Sequence, residues 1–343
     1  MTKRACLLWL LLSSLCGAQA LESRLNRIVQ SYVDKHQFMG SVLVAKGDAI
    51  ILNRGYGSAD LEWNIPNSPV TKFRLGSVTK QFTAACVLML EERGKWKVGD
   101  PVKKYMPEAP AAWDHITLFN LLTHTSGIPN FTSFADYRDW ESKPTTPKAL
   151  VDRFRNKPLD FQPGSKWSYS NSGYVLLGYL IEKVTGDTYQ HFLQTNIFDR
   201  LGMKDSGYDL NSAIIMHRAS GYTPSGNSIE NAGYINMTVP FSAGALYSTT
   251  EDLLKWEHGL FGGRLLSARS LGEMTTPFKE NYAFGLVVTN ANGVEKVEHG
   301  GGIEGFNTDV AYWPRSRQAV IVLGNLNGRA PGDIAKELAP AVH

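Results

Sequence analysis

Apolar and polar positions divide the chain into three textures. Near the start, Leu21, Leu25, Ile28, Val29 and Tyr32 recur at helical spacing and predict a helix across residues 21–37. Two short strand-like runs follow, residues 41–45 and 49–53, joined through Lys46-Gly47-Asp48 as a hairpin. A loop rich in Asn and Pro, residues 64–69, leads to a long apolar run from Ala84 to Leu90. From residue 96 to about 230 helical periods alternate with loops broken by Pro and Gly. Helices are expected over residues 118–123, 146–154, 173–184 and 190–197, with Asp187-Thr188 capping the last. Strands return from about residue 235, at 283–289, 295–299, 308–313 and 318–323. Turns such as Asn292-Gly293 and Pro314-Arg315-Ser316 separate them, and residues 333–338 read as a closing helix.

Strands at both ends and helices between them imply an α+β fold. The simplest form is an antiparallel sheet flanked by N- and C-terminal helices, with an all-α subdomain inserted. The expected division assigns residues 21–95 and 235–343 to the sheet subdomain and 96–234 to the helical one. The chain shows no internal repeat, low-complexity tract or Ser/Gly-rich linker, and it is long enough for one large core or two interleaved ones.

The first twenty residues read as a cleavable leader. Lys3 and Arg4 precede the apolar core Leu7 to Leu12, and Ala18-Gln19-Ala20 supplies the cleavage site. The apolar core is too short to span a bilayer, so an exported protein, periplasmic or secreted, is expected. Without Lys3 and Arg4 the formal charge falls from +3 to +1, 33 basic against 32 acidic side chains. That balance gives no reason to expect nucleic acid or an anionic membrane as a partner. Beyond the leader there is a single cysteine, Cys86, placed in an apolar helix and read as core.

Chemistry concentrates around Ser77 and Lys80, three residues apart and just ahead of the apolar run. If Ser77 opens that helix, Lys80 lies one turn on along the same face, within reach of the hydroxyl proton. A chain of this length carries roughly one Ser-x-x-Lys by chance, so other residues must support it. Tyr169-Ser170-Asn171 comes after a Pro163-Gly164 turn and precedes a helix, which would set Tyr169 and Asn171 facing Ser77 across a cleft. Tyr234-Ile235-Asn236 repeats the pattern, but lies outside that context. His299-Gly300-Gly301-Gly302 ends a C-terminal strand, where glycines let a substrate backbone approach the sheet edge. Gly300 to Gly305 also satisfies Gly-x-Gly-x-x-Gly, but a strand rather than a helix comes next, so it is not a dinucleotide site.

Taken in order, these motifs resemble the serine β-lactamase and penicillin-binding-protein superfamily. The branch they are most similar to holds the class C β-lactamases, D-Ala-D-Ala carboxypeptidases and β-lactamase-like carboxylesterases. Ser77-Val78-Thr79-Lys80 matches its first motif, Tyr169-Ser170-Asn171 its second, and His299-Gly300-Gly301 stands where the third belongs. Leu121-Leu122-Thr123-His124-Thr125-Ser126-Gly127-Ile128 and the stretch from Gly244 to Leu253 look like the family too. The resemblance spans nearly all of residues 21–343 and implies a sheet with flanking helices and an all-α subdomain.

It also implies roles. Ser77 would be the nucleophile, and Lys80 and Tyr169 the coupled proton-transfer pair. Asn171, His299 and Gly301 would bind substrate, and the Ser77 and Gly302 N–H groups would form the oxyanion hole. No metal or cofactor is implied. His299 is a departure, because class C β-lactamases are expected to carry lysine there; a peptidase or an esterase fits histidine better. The imidazole is expected to charge between about pH 8 and pH 5.5 and to favour anionic substrates as it does so. The expected activity is an acyl-enzyme hydrolase for a D-amino-acid peptide or an ester. A class C-like β-lactamase and a non-catalytic penicillin-binding sensor are the alternatives. Gly-x-Ser-x-Gly, His-Glu-x-x-His and P-loop motifs are all missing from the sequence.

Overall fold

The computed structural model describes residues 19–226 and 228–341. The basic and apolar parts of the expected leader, and Ala18 with them, lie outside the described residues. Six strands form the central sheet: β1 (Gly40–Lys46), β2 (Ala49–Tyr56), β3 (Val287–Ala291), β4 (Val294–Ile303), β5 (Phe306–Trp313) and β6 (Gln318–Gly324). Their order is β3-β4-β5-β6-β1-β2, antiparallel throughout. The N-terminal hairpin joins the C-terminal strands through β1 and β6, from Gly40↔Gly324 to Lys46↔Gln318.

Five helices frame the sheet and the cleft beside it: α1 over residues 19–33, α2 (Thr79–Glu92), α3 (Asn171–Thr185), α4 (Thr250–Phe261) and α5 (Ala330–Leu338). The central strands β1 and β6 are apolar on both faces because both are covered. Val42, Val44, Val320 and Val322 pack beneath α1 and α5, through Leu25, Val29, Ile334 and Leu338. Leu43, Ala45, Ile321 and Leu323 face the larger core that holds α2 and α4. The fold is α+β, as the alternation of textures implies. The helical stretch between the sheet's two halves also carries short strands, Gly207–Tyr208, Tyr222–Ser225 and Ser228–Asn231.

Helix α2 is buried from Thr79 through Leu90, so its polar side chains need protein partners. Gln81 Oε1 accepts from Trp256 Nε1 at 2.8 Å, and Thr83 Oγ1 donates to Ser242 O at 2.6 Å. Cys86 is buried in the same helix.

Two local expectations need correction. Ser77 does not open α2; it sits in a tight 3₁₀ turn, Gly76–Val78, immediately before it. Gly76 enters that turn at φ +52°, and a Cβ there would come within 2.8 Å of Gly302 N. The strand expected at 283–289 begins only at Val287. Ala283 N–H instead bonds Leu286 O at 2.8 Å in a turn. Gly285 takes φ +70° there, and a Cβ would lie 2.6 Å from Lys80 O, so the loop lies directly on α2.

Candidate active site

The turn that ends at α2 lifts Ser77 to the floor of a cleft, and two side chains converge on its hydroxyl. Lys80 Nζ lies 3.0 Å from Ser77 Oγ, and Tyr169 OH donates to the same oxygen at 2.7 Å. Lys80 Nζ also donates to Asn171 Oδ1 at 2.9 Å and to Ala243 O at 2.8 Å. Asn171 is held with its oxygen toward the lysine, because its Nδ2 donates to Thr132 Oγ1 at 3.2 Å.

Residues 169–171 are fixed by a neighbouring loop. Ser170 Oγ donates to Ile128 O at 3.0 Å, Asn171 N–H donates to Asn130 Oδ1 at 3.0 Å, and Ser172 Oγ donates to Pro129 O at 2.6 Å. Tyr234, in the repeated Tyr-x-Asn, is 59% exposed.

Burial sets the protonation states. Lys80 is fully buried without a carboxylate partner among the described residues, and desolvation holds its pKa well below the ordinary lysine value. Desolvation pushes the Tyr169 phenol up, with the Ser77 hydrogen bond opposing it in part. The ground state therefore pairs an amine biased toward neutrality with a protonated phenol.

Strand β4 forms one wall of the cleft. It continues through the glycines to Ile303, whereas β3 pairs with it only as far as Glu298. The β3-side edge of residues 299–303 is thus unpaired by β3. Gly302 lines the cleft beside Gly76 and Ser77. Gly301 turns the other way: a Cβ there would meet Leu75 O at 1.9 Å, so its glycine meets a packing demand. The cleft has a volume of about 350 Å³ and extends from Ser77 and Asn171 past Phe131 and Ile235 to Arg138 and Glu304.

Residues 25–342 match the family model described as Beta-lactamase. The chain belongs to the β-lactamase family. Among relatives of this β-lactamase-family chain, PbpX of Bacillus subtilis is 30% identical over 306 residues, covering 89% of this chain and 75% of that protein. A penicillin-binding protein from Bacillus halodurans superposes with a TM-score of 0.82 at 28% identity, over 92% of this chain and 100% of the other. A D-stereospecific amidohydrolase from Streptomyces does so with a TM-score of 0.78 at 27% identity, over 91% and 97%. Among the described residues no helix is long and apolar enough to cross a membrane.

In this family member His299 is neutral and fully engaged. Its Nε2 pairs with Tyr282 OH at 3.0 Å and its Nδ1 with Gly300 O at 2.6 Å. Burial, then nearby Lys80, pushes its pKa down to about 4, and burial keeps the Tyr282 phenol protonated. The phenol therefore donates to Nε2, and Nδ1–H donates to the carbonyl. The expectation that His299 charges between about pH 8 and pH 5.5 is overturned, because the ring is walled off from water.

Two neighbours carried no local signal. Tyr282 lies one residue ahead of the run mistaken for strand, and His124 in a stretch noted only for its likeness to the family. The His124 ring centroid lies 4.4 Å from that of Tyr169, 5.1 Å from Tyr174 and 4.6 Å from Tyr282.

Proposed function

We propose that this β-lactamase-family protein is an exported serine hydrolase that works through an acyl-enzyme on Ser77, cleaving a D-amino-acid peptide, amide or ester. The observation that carries the reading is the pair of contacts on one oxygen, Lys80 at 3.0 Å and Tyr169 at 2.7 Å. A neutral amine has two N–H bonds and one lone pair. Asn171 Oδ1 and Ala243 O can only accept, so they take both N–H bonds. The lone pair is left for Ser77, whose hydroxyl donates to it. Lys80 is therefore the base of the first step, and Tyr169 the donor that keeps Oγ oriented.

Ser77 Oγ attacks the substrate carbonyl as its proton passes to Lys80 Nζ. The oxyanion forms beside the N–H groups of Ser77 and Gly302, each worth roughly 3 kcal/mol in a preorganised site. The leaving nitrogen or oxygen takes the Tyr169 proton as its bond to carbon breaks, and Lys80 reprotonates the phenolate. Water then attacks the ester, giving up its proton through the same pair, and Ser77 leaves with a hydrogen again.

Substrate class is argued from β4 and from His299. The open edge at 299–303 suits an extended peptide laid as an added strand. His299 offers no cation to a leaving-group carboxylate, which favours an amide, an ester or a peptide whose leaving group carries no carboxylate over efficient β-lactam turnover. The Streptomyces amidohydrolase supports D-stereospecificity. The basic and apolar residues ahead of Ala20 support export. The test is intact-mass analysis with a fluorescent penicillin, a D-alanyl peptide and a short-chain ester. A mass increment on Ser77 with at least one of them is expected. Hydrolysis without any increment, or an adduct on another residue, would overturn the assignment.

A further inference from the structure

We infer that Glu304 forms a subsite for a primary ammonium group on the acyl side of the substrate, at the end of β4. The inference rests on the acyl-enzyme at Ser77 and names the chemistry of the group that is cleaved from its partner and held.

The position is set by β4. Gly302 lies beside the nucleophile turn, and Glu304 is two residues further, where the chain turns back toward β5 through Gly305 at φ +80°. Ile303 is the last residue of β4, and Glu304 follows it as the first residue of the turn to β5, at the end of the strand that Gly302 and Ile303 carry along the cleft. Gly302 and Glu304 line the same cleft as Ser77 and Asn171. An acyl chain extended along β4 therefore runs toward that carboxylate.

The charge of that wall is acidic. Glu304 and Glu141 face one guanidinium, Arg138. Arg138 gives its close bond to Glu141 at 2.8 Å and reaches Glu304 only at 3.5 Å, a length at which a hydrogen bond is weak. The Arg138 side chain is 75% exposed, so a substrate can displace it at little cost. Glu141 is 7% exposed, and its Oε2 has no hydrogen-bond partner among the described residues. Behind Glu304, Arg74 and Arg218 share one buried carboxylate, Asp209, so two cations stand against one anion there, and Arg74 helps to keep Glu304 ionised against the burial and the Glu141 charge that oppose it. A substrate carboxylate here would meet two like charges. An ammonium would find a half-desolvated, loosely held partner, with Phe131, Phe134 and Ile235 along the path of its alkyl stem.

Two sources supply such a group: an alkylamine side chain, or the free N-terminus of a short peptide. The experiment compares matched substrates on the purified protein. One arm is 6-aminohexanoyl against hexanoyl p-nitrophenyl ester. The other is glycyl-D-alanyl p-nitroanilide against its N-acetylated form. The ammonium form should have the higher kcat/KM by about tenfold or more in at least one arm, and that arm identifies the source. Glu304→Gln should bring that ratio close to one; reading a ratio cancels any general loss of activity. Arg138→Ala should keep or raise it. A ratio near one in both arms of the unmodified protein, or one untouched by Glu304→Gln, would overturn the subsite while leaving the acyl-enzyme standing. Failure to turn over any of the four, with no adduct on Ser77, would overturn both.

Discussion

His124 holds the backbone on both sides of Tyr169. Its carbonyl accepts from Ser168 N–H at 3.0 Å, and its Nδ1 accepts from Ser170 N–H at 3.2 Å. The ring lies against the Tyr169 ring, and the residue takes a left-handed φ of +56° to do all three. Desolvation, with Lys80 adding to it, keeps the imidazole pKa well below the usual value. Nδ1 therefore stays an acceptor, and Tyr169 inherits its direction toward Ser77 from a residue outside the proton-transfer pair.

This relationship separates a positioning role from a merely structural one. His124→Gly tolerates the backbone conformation but removes the ring and the Nδ1 acceptor. It should lower kcat by about 10²-fold with KM little changed, as a misplaced general acid does. His124→Asn keeps an acceptor at the same reach and also tolerates positive φ, so it should restore most of the loss. Equal activity in the two folded variants would remove the clamp from the account.

The assignment of roles within the site makes a second expectation. Ser77→Ala should abolish covalent labelling and cut turnover by at least about 10³-fold in a folded protein. Tyr169→Phe should cost about 10²–10⁴-fold, whereas Tyr234→Phe should do little. Residual hydrolysis at the native rate in folded Ser77→Ala would place the nucleophile elsewhere.

The approach of Lys80 to Ser77 was legible because its spacing is local, Ser77 in the 3₁₀ turn and Lys80 in the first turn of α2 three residues on, and the polar Tyr169-Ser170-Asn171 stands at a helix start. The sheet was legible for a similar reason, since β1 and β6 carry the unbroken apolar runs 42–45 and 319–323. His124 and Tyr282 were not legible. Their contacts join residues 46 and 17 positions apart, and nothing in their flanks marks either ring as facing Tyr169 or His299. The run Ala283–Thr289 misled because its apolar content is that of a strand. Gly285 was the available warning, since a glycine inside such a run often marks a close approach of backbone. Here the approach is to Lys80. The neutral state of His299 was out of reach for sequence alone, because burial sets it.

That neutral state yields a third expectation. With its pKa near 4, His299 stays uncharged from about pH 8 down to pH 5.5. The ratio of kcat/KM for an anionic cephalosporin to that for a neutral ester should therefore be flat across this range. Each rate should fall only at the acidity where Lys80, its pKa held low by burial, takes a proton and loses the lone pair that accepts the Ser77 proton. His299→Lys should raise the ratio, because the leaving-group role proposed for this position would then be filled by a cation. A ratio that climbs steeply in the unmodified protein as pH falls would mean that the imidazole is open to solvent.

Glu257 on α4 gives the last expectation, one of stability. Its carboxyl is buried beneath the sheet, its Oε2 has no hydrogen-bond partner among the described residues, and burial pushes its pKa up to about 8 from the ordinary 4.5. Below the ordinary value both the folded and the unfolded chain carry the proton, and the site adds no pH-dependent cost. Between 4.5 and 8 the unfolded chain gives it up while the folded one keeps it, so stability falls as pH rises. The slope is ~1.4 kcal/mol per pH unit for one such group. Asp309 on β5, pushed up to about 7 by burial and by Glu298, acts in the same direction, with Lys296 and Lys336 opposing in part. Glu257→Gln removes one titrating group at almost unchanged volume. Urea unfolding at about pH 5 and pH 8 should show the unmodified protein losing more stability between the two than the variant does. The difference between the two proteins should therefore shift in the variant's favour as pH rises, whatever its sign at pH 5. Comparing differences cancels every group the two proteins share. If the difference is the same at both pH values, Glu257 is already ionised in the folded protein, and water or a rearranged partner reaches its carboxyl.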